Sequence, residues 1–195
     1  MADFSKYDFA PVMNYPEEVY LLDLSERYDP DLIRTKPWAI GKYNEKRSRM
    51  YTAVQYEGKR NIHMGIDIWT NEGAPVFSFY DGVLAYKANH AQQGNYGPTL
   101  VVKYEIGDVT LYALYGHLSL ESLSGKDIGR SIEKGQKIAE LGAEKVNGGW
   151  APHLHFQLSV QDPGGADMPG VVADDFHEQA LKRYPDPRMV LGDIY

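Results

Sequence analysis

Cysteine is absent from all 195 residues of the chain. This absence excludes a disulfide framework, a thiolate metal site and a cysteine nucleophile, since each of them needs a thiol. Any metal ion in the protein would therefore be held by histidine and carboxylate side chains.

Basic residues are also in short supply. The chain has 20 Lys and Arg against 27 Asp and Glu, which gives a formal net charge of -7. Attraction to nucleic acid or to an anionic membrane needs a basic face, because phosphate and lipid charges are negative. We therefore expect neither nucleic acid nor a membrane as a partner.

Long apolar runs are missing as well. No stretch approaches the roughly 20 consecutive apolar residues that a membrane span needs. The first 30 residues are acidic and lack the basic start and apolar run of a secretion signal. The sequence therefore predicts a soluble protein that stays in the cytoplasm.

The residues that are present fit one globular domain. Hydrophobic residues make up 43% of the chain, charged residues 24%, and there are 19 glycines, which is typical of a folded protein of ordinary core size. We predict an irregular N-terminal arm over 1–50 with one short helix, a β-domain over 51–165, and a tail over 166–195 that packs on it. The oligomeric state stays open.

Short alternating runs separated by glycine follow from Tyr51 onward. This pattern indicates an all-β domain with a small antiparallel sheet. The predicted strands are Ala74–Phe79, Gly82–Ala88, Thr99–Tyr104, Val109–Tyr115, Lys137–Leu141 and His153–Val160, with turns at Asp81-Gly82, Gly107-Asp108 and Gly148-Gly149. A short C-terminal helix is predicted over Asp174–Tyr184, where Pro185 stops it.

Two of the six histidines lie in the run PHLHFQL. Strand alternation places His153, His155 and Gln157 on one face and the apolar residues on the other. Residues i and i+2 of a strand are roughly 6.6 Å apart. One imidazole can therefore bind a metal while the other reaches a water bound to it.

The run HMGID has the same alternation, with His63, Gly65 and Asp67 on one face and apolar residues on the other. In a straight strand His63 and Asp67 would be about 13 Å apart. Sharing one ion requires the chain to bend, and Gly65 is the residue that permits this. A bent strand or a loop is predicted here.

The remaining histidines differ in how strongly the sequence favours a functional role for them. His117, in YGHLS, could simply end a strand, but beside the two other motifs a functional role is favoured. His90 and His177 lie in polar segments and are expected to be solvated surface residues. For His63, Asp67, His153 and His155, a purely structural role is disfavoured because burying them without a partner costs free energy.

Two imidazoles, one carboxylate and an open position for water are typical of a catalytic zinc site. Zn²⁺ lowers the pKa of its bound water towards about 7 and polarises a scissile carbonyl. Two further histidines would then move a proton and stabilise the oxyanion. The sequence does not assign these two roles between His117 and His153.

The three motifs HMGID, YGHLS and APHLHFQL, in this order over about 100 residues, resemble those of the lysostaphin-like zinc metallopeptidases, which include glycyl-glycine and other peptidoglycan endopeptidases. The resemblance implies Zn²⁺ held by His63, Asp67 and His155, with His117 and His153 as the catalytic pair. It also implies a small antiparallel β-domain, similar to a duplicated hybrid motif, with an open groove over the sheet.

The resemblance further implies a metalloendopeptidase acting on a peptide substrate, of the peptidoglycan type or intracellular. Tyr56, before the first metal histidine, is the nearest candidate for a tyrosine that assists the oxyanion, although strands also favour aromatic residues. NYGPTLVVKY, LYGHLSLESL and NGGWAPHLHFQ resemble the variety joined to phosphotransferase-like or aminotransferase domains, which favours a cytoplasmic substrate.

Two other functions stay open at this point. A non-haem iron(II) oxygenase also uses two histidines and one carboxylate, but it does not require the extra pair His117 and His153. A non-catalytic, metal-stabilised binding module would keep the groove and lack turnover. Metal analysis and an activity screen separate these alternatives.

Overall fold

In a computed structural model of the protein, residues 4, 6–51, 56 and 59–195 are described, and in them strands dominate while the helices are short. The strands are β1 (Tyr20–Leu21), β2 (Ala39–Gly41), β3 (Ile62–His63), β4 (Ile66–Trp69), β5 (Pro75–Phe77), β6 (Gly82–His90), β7 (Gly97–Ile106), β8 (Val109–Gly116), β9 (Ser131–Ile132), β10 (Lys137–Glu140), β11 (His153–Ser159) and β12 (Val171–Val172). The helices are α1 (Pro30–Arg34), α2 (His177–Arg183) and α3 (Arg188–Leu191), and short 3-10 helices cover Leu120–Leu123 and Asp174–Phe176. The predicted all-β class is confirmed.

Eight of the strands form one sheet, in the order β1-β2-β4-β11-β8-β7-β6-β9. Two small sheets join β10 to β5 and β12 to β3. The pairs are antiparallel with one exception, the parallel pair β1 and β2. Strand β11 lies between β4 and β8, so residues of these three strands meet at the middle of the sheet.

The alternation predicted for β11 is present. Leu154, Phe156 and Leu158 are fully buried in the main hydrophobic core, which also contains Ile66 and Ile68 of β4. Burial of such side chains is the main stabilising contribution to a sheet of this kind. The apolar face of β11 thus fixes its histidines on the opposite face.

All six predicted strands overlap observed ones, namely β5, β6, β7, β8, β10 and β11. The six strands do not include β1, β2, β9 or β12, and β3 and β4 were predicted only as the bent strand or loop of HMGID. Four of these are only two residues long, which is too short for an alternating pattern. Every residue of β4 is buried, including Asp67, whose side chain alternates with those of Ile66 and Ile68.

The N-terminal region contributes to the sheet and to the core. It contains α1, the short helix that was expected, and β2, which pairs with β4. Val12 and Met13 are fully buried in the main core, and the Val12 carbonyl accepts a hydrogen bond from the Phe77 amide. The division into arm, domain and tail stays a prediction.

The C-terminal helix agrees closely with its prediction. A 3-10 turn at Asp174–Phe176 leads into α2, which ends before Pro185. The additional helix α3 was not predicted, and Val190 within it joins the main core. Across the described residues, none of the helices has the length and apolar character needed to traverse a bilayer.

Candidate metal centre and groove

One cavity of about 510 Å³ contains every residue that the sequence singled out for the site. These residues are Tyr56, His63, Asp67, His117, His153 and His155. They come from β3, β4, β11, the turn after β8 and the segment before β3. The fold therefore brings together side chains that are up to about a hundred positions apart.

The HMGID motif bends, as predicted. Strand β3 ends at His63 and pairs with β12, whereas β4 begins at Ile66 and pairs with β11. Gly65 lies at the break, where a Cβ atom would come within 2.6 Å of His155 Cε1. Glycine at this position therefore also leaves the space that the His155 ring occupies.

Three ligand-type atoms converge in the cavity. His63 Nε2 lies 3.2 Å and His155 Nδ1 lies 3.0 Å from Asp67 Oδ1. The two ring nitrogens are 3.1 Å apart. These three residues form a group that could hold one metal ion.

The hydrogen bonds on the outer side of each ring fix its tautomer. His63 Nδ1 donates to the Lys42 carbonyl at 2.9 Å, so Nε2 of the neutral ring carries the lone pair. His155 Nε2 faces Gln157 Oε1 at 3.0 Å, and the Gln157 amide nitrogen donates to the Pro169 carbonyl. The His155 Nδ1 of a neutral ring therefore also carries a lone pair.

These tautomers make the donor set fit a cation. Two nitrogen lone pairs and a carboxylate oxygen face one another at contact distance with no donor between them, which is unfavourable without a positive charge. A divalent ion satisfies all three at once. The outer hydrogen bonds are those that orient metal-binding imidazoles in proteins generally.

Burial and neighbouring charges set the protonation states of His63 and Asp67. Burial lowers the pKa of His63 to about 4, and the Arg47 cation adds to the effect. Burial alone would raise the pKa of Asp67, but His63 and Arg47 hold that pKa well below its ordinary value. At neutral pH the imidazole of His63 is thus neutral and Asp67 is ionised, as metal binding requires.

His117 follows β8 and has a left-handed backbone, with φ of 63°. This conformation is uncommon for a residue other than glycine and is found mainly at turns and functional sites. Its Nδ1 donates to the Asn147 carbonyl at 2.7 Å. The remaining nitrogen, Nε2, is then free to accept a proton.

His153 lies between two rings. Trp69 stacks on it at 3.8 Å between ring centroids, and His117 lies at 4.1 Å. Its Nδ1 donates to the Ala151 carbonyl at 2.8 Å, and its Nε2 is 3.9 Å from Asp67 Oδ1. The ring is therefore fixed beside the three ligand-type residues without belonging to their hydrogen-bonded group.

Both rings of this pair are neutral at pH 7. Burial lowers the pKa of His153 to about 4, although Asp67 opposes the shift. Burial, followed by the influence of His153, holds the pKa of His117 well below its usual value. Each ring can thus act as a proton acceptor at neutral pH.

The other sequence candidates lie as follows. The Tyr56 hydroxyl donates to the Gly94 carbonyl, and its ring lies 4.9 Å from that of Tyr51. His90 ends β6 and contacts the Ala166 carbonyl, while His177 is half-buried and contacts Asn44. The last two histidines are outside the cavity.

Sequence reasoning missed three residues that contact the site. Arg47 bonds to Asp67, Trp69 stacks on His153, and Gln157 bonds to His155. Gln157 was placed on the correct face by strand alternation, but its partner could not be inferred. Arg47 lies in a segment without periodicity, so no sequence signal indicated it.

Strands β4 and β11 of the large sheet and the short strand β3 bring two histidines and a carboxylate together in one cavity, an arrangement that a metallopeptidase can use. The chain belongs to Peptidase family M23, whose model matches residues 61–165. All three motifs lie inside this match, and the predicted resemblance is confirmed.

The chain is similar to two curated proteins and to one solved structure. The chain is 35% identical over 132 residues to peptidoglycan DD-endopeptidase ShyB of Vibrio cholerae, covering 65% of this chain and 27% of that protein. It is 31% identical over 99 residues to DD-carboxypeptidase/endopeptidase Mpg of Neisseria meningitidis, covering 51% and 20%. The catalytic domain of lysostaphin from Staphylococcus simulans aligns with 20% identity and a TM-score of 0.49, covering 79% and 98%. The chain therefore spans only about a quarter of the length of ShyB and a fifth of the length of Mpg.

Proposed function

We propose that the protein is a zinc-dependent metalloendopeptidase that hydrolyses a peptide bond with metal-activated water. The observation that carries the proposal is the convergence of His63 Nε2, Asp67 Oδ1 and His155 Nδ1, each with a lone pair directed at the others. Membership of a peptidase family supports hydrolysis as the reaction.

The donor set favours zinc. His63, Asp67 and His155 would supply two nitrogen ligands and one oxygen ligand, the set found in catalytic zinc sites with an open position for water. When bound, the ion lowers the pKa of water and polarises the scissile carbonyl. The chain's part is to keep these ligands deprotonated, oriented and shielded by the sheet.

Proton transfer falls to His117 and His153. Their Nδ1 atoms are engaged by backbone carbonyls, so Nε2 is the nitrogen that can take the proton from the attacking water. The imidazolium so formed passes the proton to the leaving amine, and a protonated ring stabilises the oxyanion.

Tyr56 is proposed as a weaker contributor. It lines the cavity, and its hydroxyl already serves as a hydrogen-bond donor, to the Gly94 carbonyl. Rotation towards a bound substrate would redirect this donor to the developing oxyanion. A Tyr56→Phe variant that turns over as fast as the wild type would remove it from the mechanism.

The proposed substrate is a peptide, first of all a peptidoglycan-type peptide. The support is that ShyB and Mpg are named peptidoglycan DD-endopeptidase and DD-carboxypeptidase/endopeptidase. A cytoplasmic location would favour an intracellular peptide or a peptidoglycan fragment of the same chemistry. The bond cleaved is to be read from the products.

A screen of the zinc-loaded protein tests the proposal. Peptidoglycan fragments, glycine-rich peptides and unrelated peptides are incubated with it, and products are identified by mass spectrometry. We expect cleavage of an amide bond in at least one class, abolished by a chelator and restored by zinc. Stoichiometric zinc without turnover in any class would favour a binding module, and iron with oxygen-dependent turnover would favour an oxygenase.

A further inference from the structure

Arg47 is a fully buried arginine next to the candidate metal centre. It lies in the segment between β2 and β3, outside the part of the chain that matches the family. A buried charge is costly unless it is paired and hydrogen-bonded. The groups that pair with the buried Arg47 cation therefore indicate what it does in the fold.

Each arm of the guanidinium has a defined partner. Nη1 donates to Asp67 Oδ2 at 2.7 Å and to the Tyr51 hydroxyl at 2.9 Å. Nε donates to Glu45 Oε2 at 2.9 Å, and Nη2 faces the Lys42 carbonyl at 3.4 Å. Arg47 therefore bridges two buried carboxylates with a planar, rigid fork.

The two oxygens of Asp67 thus have separate tasks. Oδ2 is held by Arg47, whereas Oδ1 lies 3.0 to 3.2 Å from the nitrogens of His155 and His63. A carboxylate held in this way presents one oxygen to an ion and cannot rotate to present both. A single carboxylate oxygen leaves a coordination position open for water.

The surrounding backbone is built to admit the guanidinium. Gly41 pairs with Asp67 across β2 and β4, and a Cβ atom on it would come within 2.7 Å of Arg47 Nη2. The Lys42 carbonyl that faces Nη2 also accepts the hydrogen bond from His63 Nδ1. The segment after β2 therefore orients two of the three candidate ligands.

We infer that Arg47 is the positioning residue of the metal centre, which fixes Asp67 as a one-oxygen ligand and so determines metal affinity and coordination number. This inference rests on the proposed zinc site. A purely structural Arg47 would only neutralise Glu45 and Asp67, and any cation there would do the same. The two roles differ in whether geometry or charge matters.

Two variants keep the local net charge unchanged but alter the geometry around Asp67. They therefore distinguish a role of Arg47 in geometry from a role in charge. Arg47→Lys retains the cation but replaces the fork by a single ammonium. The double variant Arg47→Met with Glu45→Gln removes one positive and one negative charge together. Zinc affinity of the metal-free proteins is measured by competition with a chelator, and coordination number is read from the visible spectrum of the cobalt(II) forms.

We expect both variants to bind zinc about 10- to 100-fold more weakly than the wild type, as is usual when an outer partner of a metal ligand is lost. The visible spectra of their cobalt(II) forms should indicate a higher coordination number than that of the wild type. Arg34→Met is the matched control, because Arg34 also bridges two carboxylates, those of Asp31 and Glu144, but on the surface. Its zinc affinity should equal that of the wild type.

The outcomes separate this inference from the proposed function. A wild type that binds no zinc overturns the zinc site itself. A wild type that binds zinc, with unchanged affinity and cobalt spectrum in Arg47→Lys, overturns the positioning role even if the double variant fails to fold. The positioning role is supported if Arg47→Lys binds zinc more weakly and has a changed cobalt(II) spectrum, while its circular dichroism is like that of the wild type.

Discussion

At the scale of single residues, lone-pair geometry makes the cavity chemically specific. His63 and His155 are each anchored on one nitrogen by an acceptor, which leaves the other nitrogen facing Asp67. His117 and His153 are anchored on Nδ1 in the same way. Four imidazoles, each held by one ring nitrogen beside one carboxylate, make a site able to take up a cation and a proton in neighbouring positions.

The three candidate ligands are tested by removing them one at a time. The wild type should hold about one zinc ion per chain. His63→Ala, Asp67→Ala and His155→Ala should each lose most of this zinc, because three ligands leave no redundancy. Metal content after dialysis is measured by atomic emission. His90→Ala, outside the cavity, should keep its zinc, and full retention by all three ligand variants would contradict the site.

The proposed catalytic pair should behave differently from the candidate ligands. His117→Ala and His153→Ala are expected to keep the metal and to lose turnover by roughly 100-fold or more, as for loss of an acid-base or oxyanion group. Zinc content and initial rate are measured on the same preparations, with His177→Ala as the control. Zinc loss equal to that of the ligand variants would make these histidines ligands instead.

At the scale of elements, the segment before the family match is part of the fold. Strand β2 pairs with β4, which carries Asp67, and Met13 is fully buried in the main core. The amide of Ala10 donates to the Phe79 carbonyl, and that of Phe77 to the Val12 carbonyl. Contacts of this kind couple the stability of the N-terminal region to that of the sheet.

A core substitution in this segment tests the coupling. Met13→Ala should lower the free energy of unfolding by about 2 to 5 kcal/mol, the usual cost of such a cavity. Asn14→Ala, one position along and exposed, should change it by less than about 0.5 kcal/mol. Urea denaturation compares the two, and equal midpoints would show that the segment unfolds separately from the core.

Sequence reasoning succeeded where a pattern was local. Alternation in PHLHFQL and HMGID predicted which histidines share a face, and the spacing across Gly65 predicted the bend. It failed where the determinant was a contact between distant segments. Strand β2 was not predicted, and its pairing with β4 brings the segment that carries Arg47 to Asp67.

At the scale of the whole molecule, burial of several histidines makes the metal-free protein sensitive to acid. The pKa values of His63 and His153 are lowered to about 4 from an ordinary 6.5. Between these values the unfolded chain binds protons that the folded chain does not. The folded state therefore has its full stability with respect to these two rings above about pH 6.5, and the free energy of unfolding decreases as the pH falls towards about 4.

The size of this loss can be estimated. Each unit of pKa difference corresponds to about 1.4 kcal/mol, so each of these two rings destabilises the folded state by about 3 kcal/mol at the acid end. Urea midpoints of the metal-free protein at pH 7 and pH 4.5 measure the effect. His153→Gln removes one titrating ring and should show a smaller fall, and an equal fall would assign the acid sensitivity to other groups.

The central claim is that one metal ion, held by His63, Asp67 and His155, makes the chain a peptidase. Titration of the metal-free protein with zinc, with the rate of peptide cleavage followed at each addition, tests it most directly. The account predicts no cleavage without metal, a linear rise to one equivalent, and no activity in His155→Ala at any zinc concentration. Cleavage that is independent of zinc, or equal in His155→Ala, would contradict it.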